Sequence, residues 1–137
     1  MLESQLTDIP QEDIPGVRLL ESKRYDEASK FFQQRLAAGD SFAHYGLATA
    51  LFKQRDSSRN PVRAREVIKH YEYAIESNPK FADSHFMCGL AYEQLGSALI
   101  NEYKKNPYLN SEKQIDEIKE TLNTCFLFSV LSKDEDK

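Results

Sequence analysis

Three histidines and two cysteines are the side chains of this sequence best suited to hold a metal or move a proton: His44, His70, His85, Cys88 and Cys125. His85 and Cys88 stand three residues apart in FADSHFMCGLAYEQLG (81–96), a spacing that puts both on one face of a helix. A zinc site needs three or four converging ligands, and no tight CxxC or HxxxH pair supplies them. Both thiols fall within apolar helical patterns, where cysteine behaves as a small hydrophobe. The reading is therefore no metal, no cofactor and no catalytic residue. No GxSxG, Walker or GxGxxG pattern occurs, and the carboxylates scatter over solvent faces. The alternative is a metal-dependent or hydrolytic enzyme on a helical bundle, with His44, His70 and His85 as its working groups.

Whatever these residues do, helices must position them. The 137 residues are one domain's worth, 40% hydrophobic and 29% charged, which supports a real core. With only five glycines and five prolines, long stretches lack any breaker, so the fold class is all-α. A net charge of −4 and a pI near 5.4 argue against nucleic acid as a partner. The opening MLESQLTDIPQEDIP has neither the basic nor the apolar part of a secretory signal, and no apolar run is long enough for a membrane span. The expected location is cytoplasmic.

Six helices follow from the punctuation. Residues 1–11 read as a flexible lead-in, and Pro15 opens a short helix carrying Val17, Leu19 and Leu20. Tyr25 to Ala38 forms the second, with Ala28, Phe31, Phe32 and Leu36 inward and Gly39 as its stop. Ser41 is the expected N-cap of a third, to about Arg55. Asn60 caps and Pro61 begins a fourth, whose stripe is Ala64, Val67, Ile68, Tyr71, Ala74 and Ile75. The fifth runs from near Ala82 to the Asn106-Pro107 break. Ser111 and Gln114 fit a capping box for the sixth, to about Leu131, with Ile115, Ile118, Leu122, Cys125, Phe126 and Ser129 as its inner stripe. An acidic tail, 133–137, closes the chain.

Three strings match when overlaid. Lys23-Arg24-Tyr25-Asp26-Glu27-Ala28 followed by Phe32, the stretch Tyr71 to Pro79, and the opening FADSHFMCGLAYEQLG with Gly89, Tyr92 and Gly96 resemble parts of the tetratricopeptide repeat (TPR) family. His44, Leu47, Ala48 and Leu51 are similar to an equivalent first helix. The resemblance covers roughly residues 12–132. It implies stacked antiparallel hairpins, about three repeats in a short superhelix. Ala48 and Gly89 are 41 residues apart, against the family's 34, and about 21 extra residues follow Gly96. Both insertions are expected to lengthen helices in the second and third units. The first helix is expected to be frayed or displaced.

The resemblance also implies a function: a non-catalytic protein–protein interaction module, an adaptor, scaffold or chaperone-like domain, holding a partner peptide or helix in a concave groove. At the matching positions stand Tyr45, Thr49, Phe52 and Lys53 from one helix and Phe86, Leu90, Glu93 and Gln94 from the next. The family's clamp for a chaperone's terminal carboxylate is absent, because its places hold Asp13, Val17, Gly46, Asp83 and Met87. A basic cluster (Lys53, Arg55, Arg59, Arg63, Arg65, Lys69) reads as a solvated face. In CFLFSVL (125–131), Leu127, Phe128, Val130 and Leu131 lie off the inner stripe, where a solenoid's last helix is usually polar. They are the expected face for a homodimer, a partner or a folded-back N-terminal segment.

Overall fold

The computed structural model describes residues 9–55, 58–106 and 112–135, with side chains as far as residue 130. Most of the lead-in, part of the 56–61 turn, the Ser111 cap and the side chain of Leu131 lie outside these. Among the described residues the chain is all-helical, without strands. A 3-10 turn, Gln11–Asp13, leads into α1 (Ile14–Glu21), followed by α2 (Tyr25–Ala37), α3 (Ala43–Gln54), α4 (Pro61–Ser77), α5 (Ala82–Lys105) and α6 (Glu112–Glu135). Each helix packs chiefly on the ones before and after it in sequence.

Local chemistry explains most boundaries. Asn60 accepts a hydrogen bond from the Arg63 amide at 3.1 Å, with Pro61 in the first helical turn. Gly39, at φ 91°, terminates the stretch after α2 in the left-handed region that glycine tolerates. Between α1 and α2 the left-handed residue is Lys23, φ 63°, and the turn is closed by the Arg24 amide donating to the Leu19 carbonyl at 2.9 Å. Ser41 does not cap α3. Asp40 takes the neighbouring role, accepting from the Phe42 amide at 3.1 Å, and α3 begins at Ala43. The Arg63 side chain donates to the Leu51 carbonyl at 3.1 Å and to Gln54 at 2.9 Å, closing the other end of α3. Helix α5 holds 24 residues, about 36 Å at 1.5 Å per residue. Helix α6 continues to Glu135, so the start of the expected acidic tail is helical.

Large rings seated over small residues hold these helices together. Phe32 is fully buried; a Cβ on Gly16 would lie 2.5 Å from its ring, and one on Gly46 2.4 Å. That ring ties α1, α2 and α3 together, and α1 is formed rather than displaced. Tyr71, also fully buried, shares a hydroxyl–hydroxyl hydrogen bond of 2.8 Å with Thr49, tying α3 to α4. Ala48, Ala64, Val67, Cys88 and Ala91 complete the centre.

The α5–α6 pairing corrects the expected stripe of the sixth helix. Its rotation is set by two glycines of α5 that are two turns apart: Phe128 lies over Gly89, Leu122 over Gly96. Phe128 therefore faces inward, its ring stacked on Tyr92 at 5.6 Å. Thr121 is buried at the Gly96 end, and Phe126, expected inside, is 68% exposed.

The Phe32 seat yields a test. Gly46→Ala gains helix propensity of about 1 kcal/mol, but the new methyl meets a ring that Gly16 prevents from retreating. Overpacking is expected to cost about 1–3 kcal/mol, which offsets or exceeds that gain. In a denaturant-melting double-mutant cycle, Phe32→Leu should cost less in the Gly46→Ala background than in wild type. A stabilised Gly46→Ala protein would refute the seat.

Candidate functional site

Of the eight residues expected to share one groove, Tyr45 lines one cavity, Phe86, Leu90 and Glu93 line another, and Thr49 lines neither. Thr49 is in the core, bonded to Tyr71, and faces no groove. Tyr45 is half-buried, its ring packed edge-on to Phe81 at 5.0 Å and tilted against Phe42 and Tyr71. Its hydroxyl points at Asp83, 3.5 Å away, and burial, then the Asp83 charge, pushes its pKa well up. Phe52 is half-buried against the core and Lys53 is exposed. Tyr45 borders a cavity of ≈ 180 Å³ with Pro10, Phe42, Ala74 and Phe81.

Phe86, Leu90 and Glu93 belong to a different surface. With Gly89 they form the α5 wall of a groove of ≈ 300 Å³, whose other wall is Leu122, Cys125, Phe126 and Ser129 of α6. Gln94, one residue beyond Glu93, is half-buried. Around the groove Phe86 is 53% exposed, and Leu122 and Phe126 stand open with it. Leu127 (58%) and Val130 also stand open on α6, as the sequence predicts, whereas Phe128 has turned inward. The titratable groups in the groove are Glu93 and Cys125, and burial, with the Glu93 charge, moves the thiol's pKa upward. A thiol held protonated is a poor nucleophile.

The three histidines part company. His85 is buried, its Nε2 2.7 Å from the Pro79 carbonyl, with its ring near Phe128. His44 of α3 and His70 of α4 meet, with Nδ1 atoms 3.0 Å apart and rings stacked at 5.3 Å. Tyr73 lies tilted 5.0 Å from His44, with the Lys69 ammonium over its ring. Burial lowers both histidine pKa values, and for His70 the His44 charge adds to it. Among the described residues no group of three or more His, Cys, Asp or Glu could hold a metal. Cys88 is fully buried, and burial, then the Glu72 charge, pushes its pKa far up, as expected of an inert core thiol.

The basic cluster is drawn into structure at two points. Arg63 closes α3, and Arg65 pairs with Glu117 of α6. A feature the sequence reading did not single out as a site is Asp13. Its side chain is completely buried, 3.5 Å from the Arg35 guanidinium, which also lies 3.4 Å from Asp40. Neither Asp13 oxygen accepts a hydrogen bond among the described residues. Burial, then the neighbouring Asp40 carboxyl, raises its pKa to about 7, against the pull of Arg35.

No family model matches the sequence, and neither the curated proteins nor the solved structures give a significant match. Among the described residues no helix is long and apolar enough to cross a membrane.

The Asp13 site predicts a pH dependence. With a folded pKa raised to about 7 over an unfolded value near 4, its contribution to stability is full below about pH 4. It is lost as pH rises through 7, at up to about 1.4 kcal/mol per unit. Asp13→Asn keeps the shape without the charge, so its unfolding free energy should rise relative to wild type from pH 4.5 to 8. Parallel stability curves for the two proteins would contradict a buried, mostly neutral Asp13.

Proposed function

We propose that this chain is a non-catalytic protein-binding module of TPR-like hairpins, and that its partner docks on the apolar groove between α5 and α6. One observation carries the reading: Phe86, Leu122 and Phe126 stand open around a groove whose walls are apolar apart from Glu93, Cys125 and Ser129. An isolated exposed leucine needs no explanation, but a contiguous set around a concavity does. Support for the repeat architecture comes from the serial packing of neighbouring helices and from Gly89 lying under Phe128 at the family's glycine position.

The occupant that fits is one amphipathic helix of a partner protein. Two walls of antiparallel helices accept the apolar side chains of a third at i and i+4 spacing. Glu93, in the α5 wall, favours a lysine or arginine at the partner's edge. An adaptor or chaperone-like role in the cytoplasm agrees with this use of the surface. Tyr45 and Phe52, expected on a concave face, are the second reading, favoured by the cavity beside Tyr45.

The test compares capture from native lysate by wild type, Phe126→Asp and Tyr45→Ala. Removing one aromatic anchor is expected to cost on the order of 2 kcal/mol, about thirtyfold in Kd. A partner lost with Phe126→Asp and retained by Tyr45→Ala supports the α5–α6 groove; the reverse pattern moves the site to Tyr45. A wild-type dimer in sedimentation equilibrium that Leu127→Asp converts to a monomer would replace the partner helix by a second copy. Capture unaffected by either Phe126→Asp or Tyr45→Ala would remove both surfaces.

A further inference from the structure

We propose that His44 and His70 form a two-nitrogen binding site for a divalent transition metal, with Cu²⁺ preferred over Zn²⁺. It is independent of the α5–α6 groove.

The geometry carries the assignment. The two Nδ1 atoms lie 3.0 Å apart on different helices, so one ion bound by both would join α3 to α4. With metal–nitrogen bonds of about 2.0–2.1 Å, nitrogens at that separation subtend roughly 90–97° at the ion. That is the angle between neighbouring ligands of a square-planar or tetragonal centre, the geometry of Cu²⁺. A tetrahedral Zn²⁺ would need the same nitrogens about 3.3 Å apart. Affinity runs the same way, because Cu²⁺ exceeds Zn²⁺ in the Irving–Williams order.

The chemistry of the pair is compatible. In the metal-free pair one Nδ1–H donates to the other's lone pair. On binding, that proton moves to Nε2 of the same neutral ring, leaving two Nδ1 lone pairs for the ion with no net proton lost. Both rings are half-buried, which leaves part of the pair open to solvent. No third His, Cys, Asp or Glu joins them among the described residues, so water completes the shell. The nearest charges are the Lys69 ammonium, held over Tyr73, and Glu66, one turn before His70.

The experiment titrates the metal-free full chain with CuCl₂ and, separately, ZnCl₂ in a non-coordinating buffer, following thermal stability and the Cu²⁺ electron-spin resonance spectrum. One equivalent of Cu²⁺ should raise the melting temperature and show nitrogen hyperfine coupling, with Zn²⁺ binding more weakly. His44→Ala and His70→Gln should each weaken Cu²⁺ binding by at least about tenfold, the scale on which even a ligand's supporting partner acts. His85→Ala should leave it unchanged. Circular dichroism separates loss of binding from loss of fold, and the two histidine variants perturb packing differently. No saturable Cu²⁺ binding, binding that survives both substitutions, or Zn²⁺ binding as tight as Cu²⁺ would each overturn the site as stated.

Discussion

The architecture depends on close approach at small residues, each opposed by a large ring. Phe32 is the plainest case: it lies over Gly16 on one side and Gly46 on the other, with no exposure left. Three helices are thereby fixed in rotation as well as position, because a ring that fills a hollow cannot be exchanged for its neighbour one residue along. Tyr71 acts similarly between α3 and α4, where its hydroxyl must find Thr49 to avoid an unpaired buried donor. Phe128 over Gly89 repeats the device in the last hairpin.

This scheme decides what is left for a partner. Helix α3 has neighbours on both sides and buries Ala43, Gly46, Leu47, Ala48, Thr49, Ala50 and Leu51 almost all round. A residue such as Thr49 is spent on the core. Helix α6 packs chiefly on α5, and only part of its apolar surface meets that neighbour. Once Phe128 and Leu122 are set over the α5 glycines, Phe126 and Leu127 have nowhere to go but outward. The exposed face of α6 is thus a consequence of its internal fit.

How much of this could be read in advance depended on how local the cause was. The Asn60–Pro61 start of α4 and the full length of α5 are legible because capping and proline act within a few residues. The rotation of α6 was not, since Leu122, Cys125, Phe126, Leu127, Phe128 and Val130 surround the helix with apolar side chains and periodicity has no preference among them. The choice is made across the hairpin, by where α5 has glycines. Gly89 and Gly96 stand in the sequence as repeat landmarks, and only the packed hairpin shows them as hollows for Phe128 and Leu122. The His44–His70 contact was not legible, because it depends on the register of the α3–α4 hairpin, which only the structure supplies. In an antiparallel hairpin, contact between residues 51 and 63 implies that residue 44, two turns back, meets residue 70, two turns on.

The distribution of titratable groups bears on what kind of surface the groove is. Chemistry needs groups that are both perturbed and reachable. Three of the strongly perturbed ones, Asp13, Tyr71 and Cys88, are sealed in the core. Each is held toward its neutral form mainly by burial, which stabilises a packed interior and leaves no access for a substrate. The groove has the opposite character: it is reachable, but its ionisable members are an exposed glutamate and a thiol moved away from the thiolate. Perturbation and access overlap instead at Tyr45 and at the His44–His70 pair, which are half-buried. On the proposed reading, a surface that offers apolar area and shape, with one carboxylate to set orientation, is suited to recognition through Phe86 and Phe126.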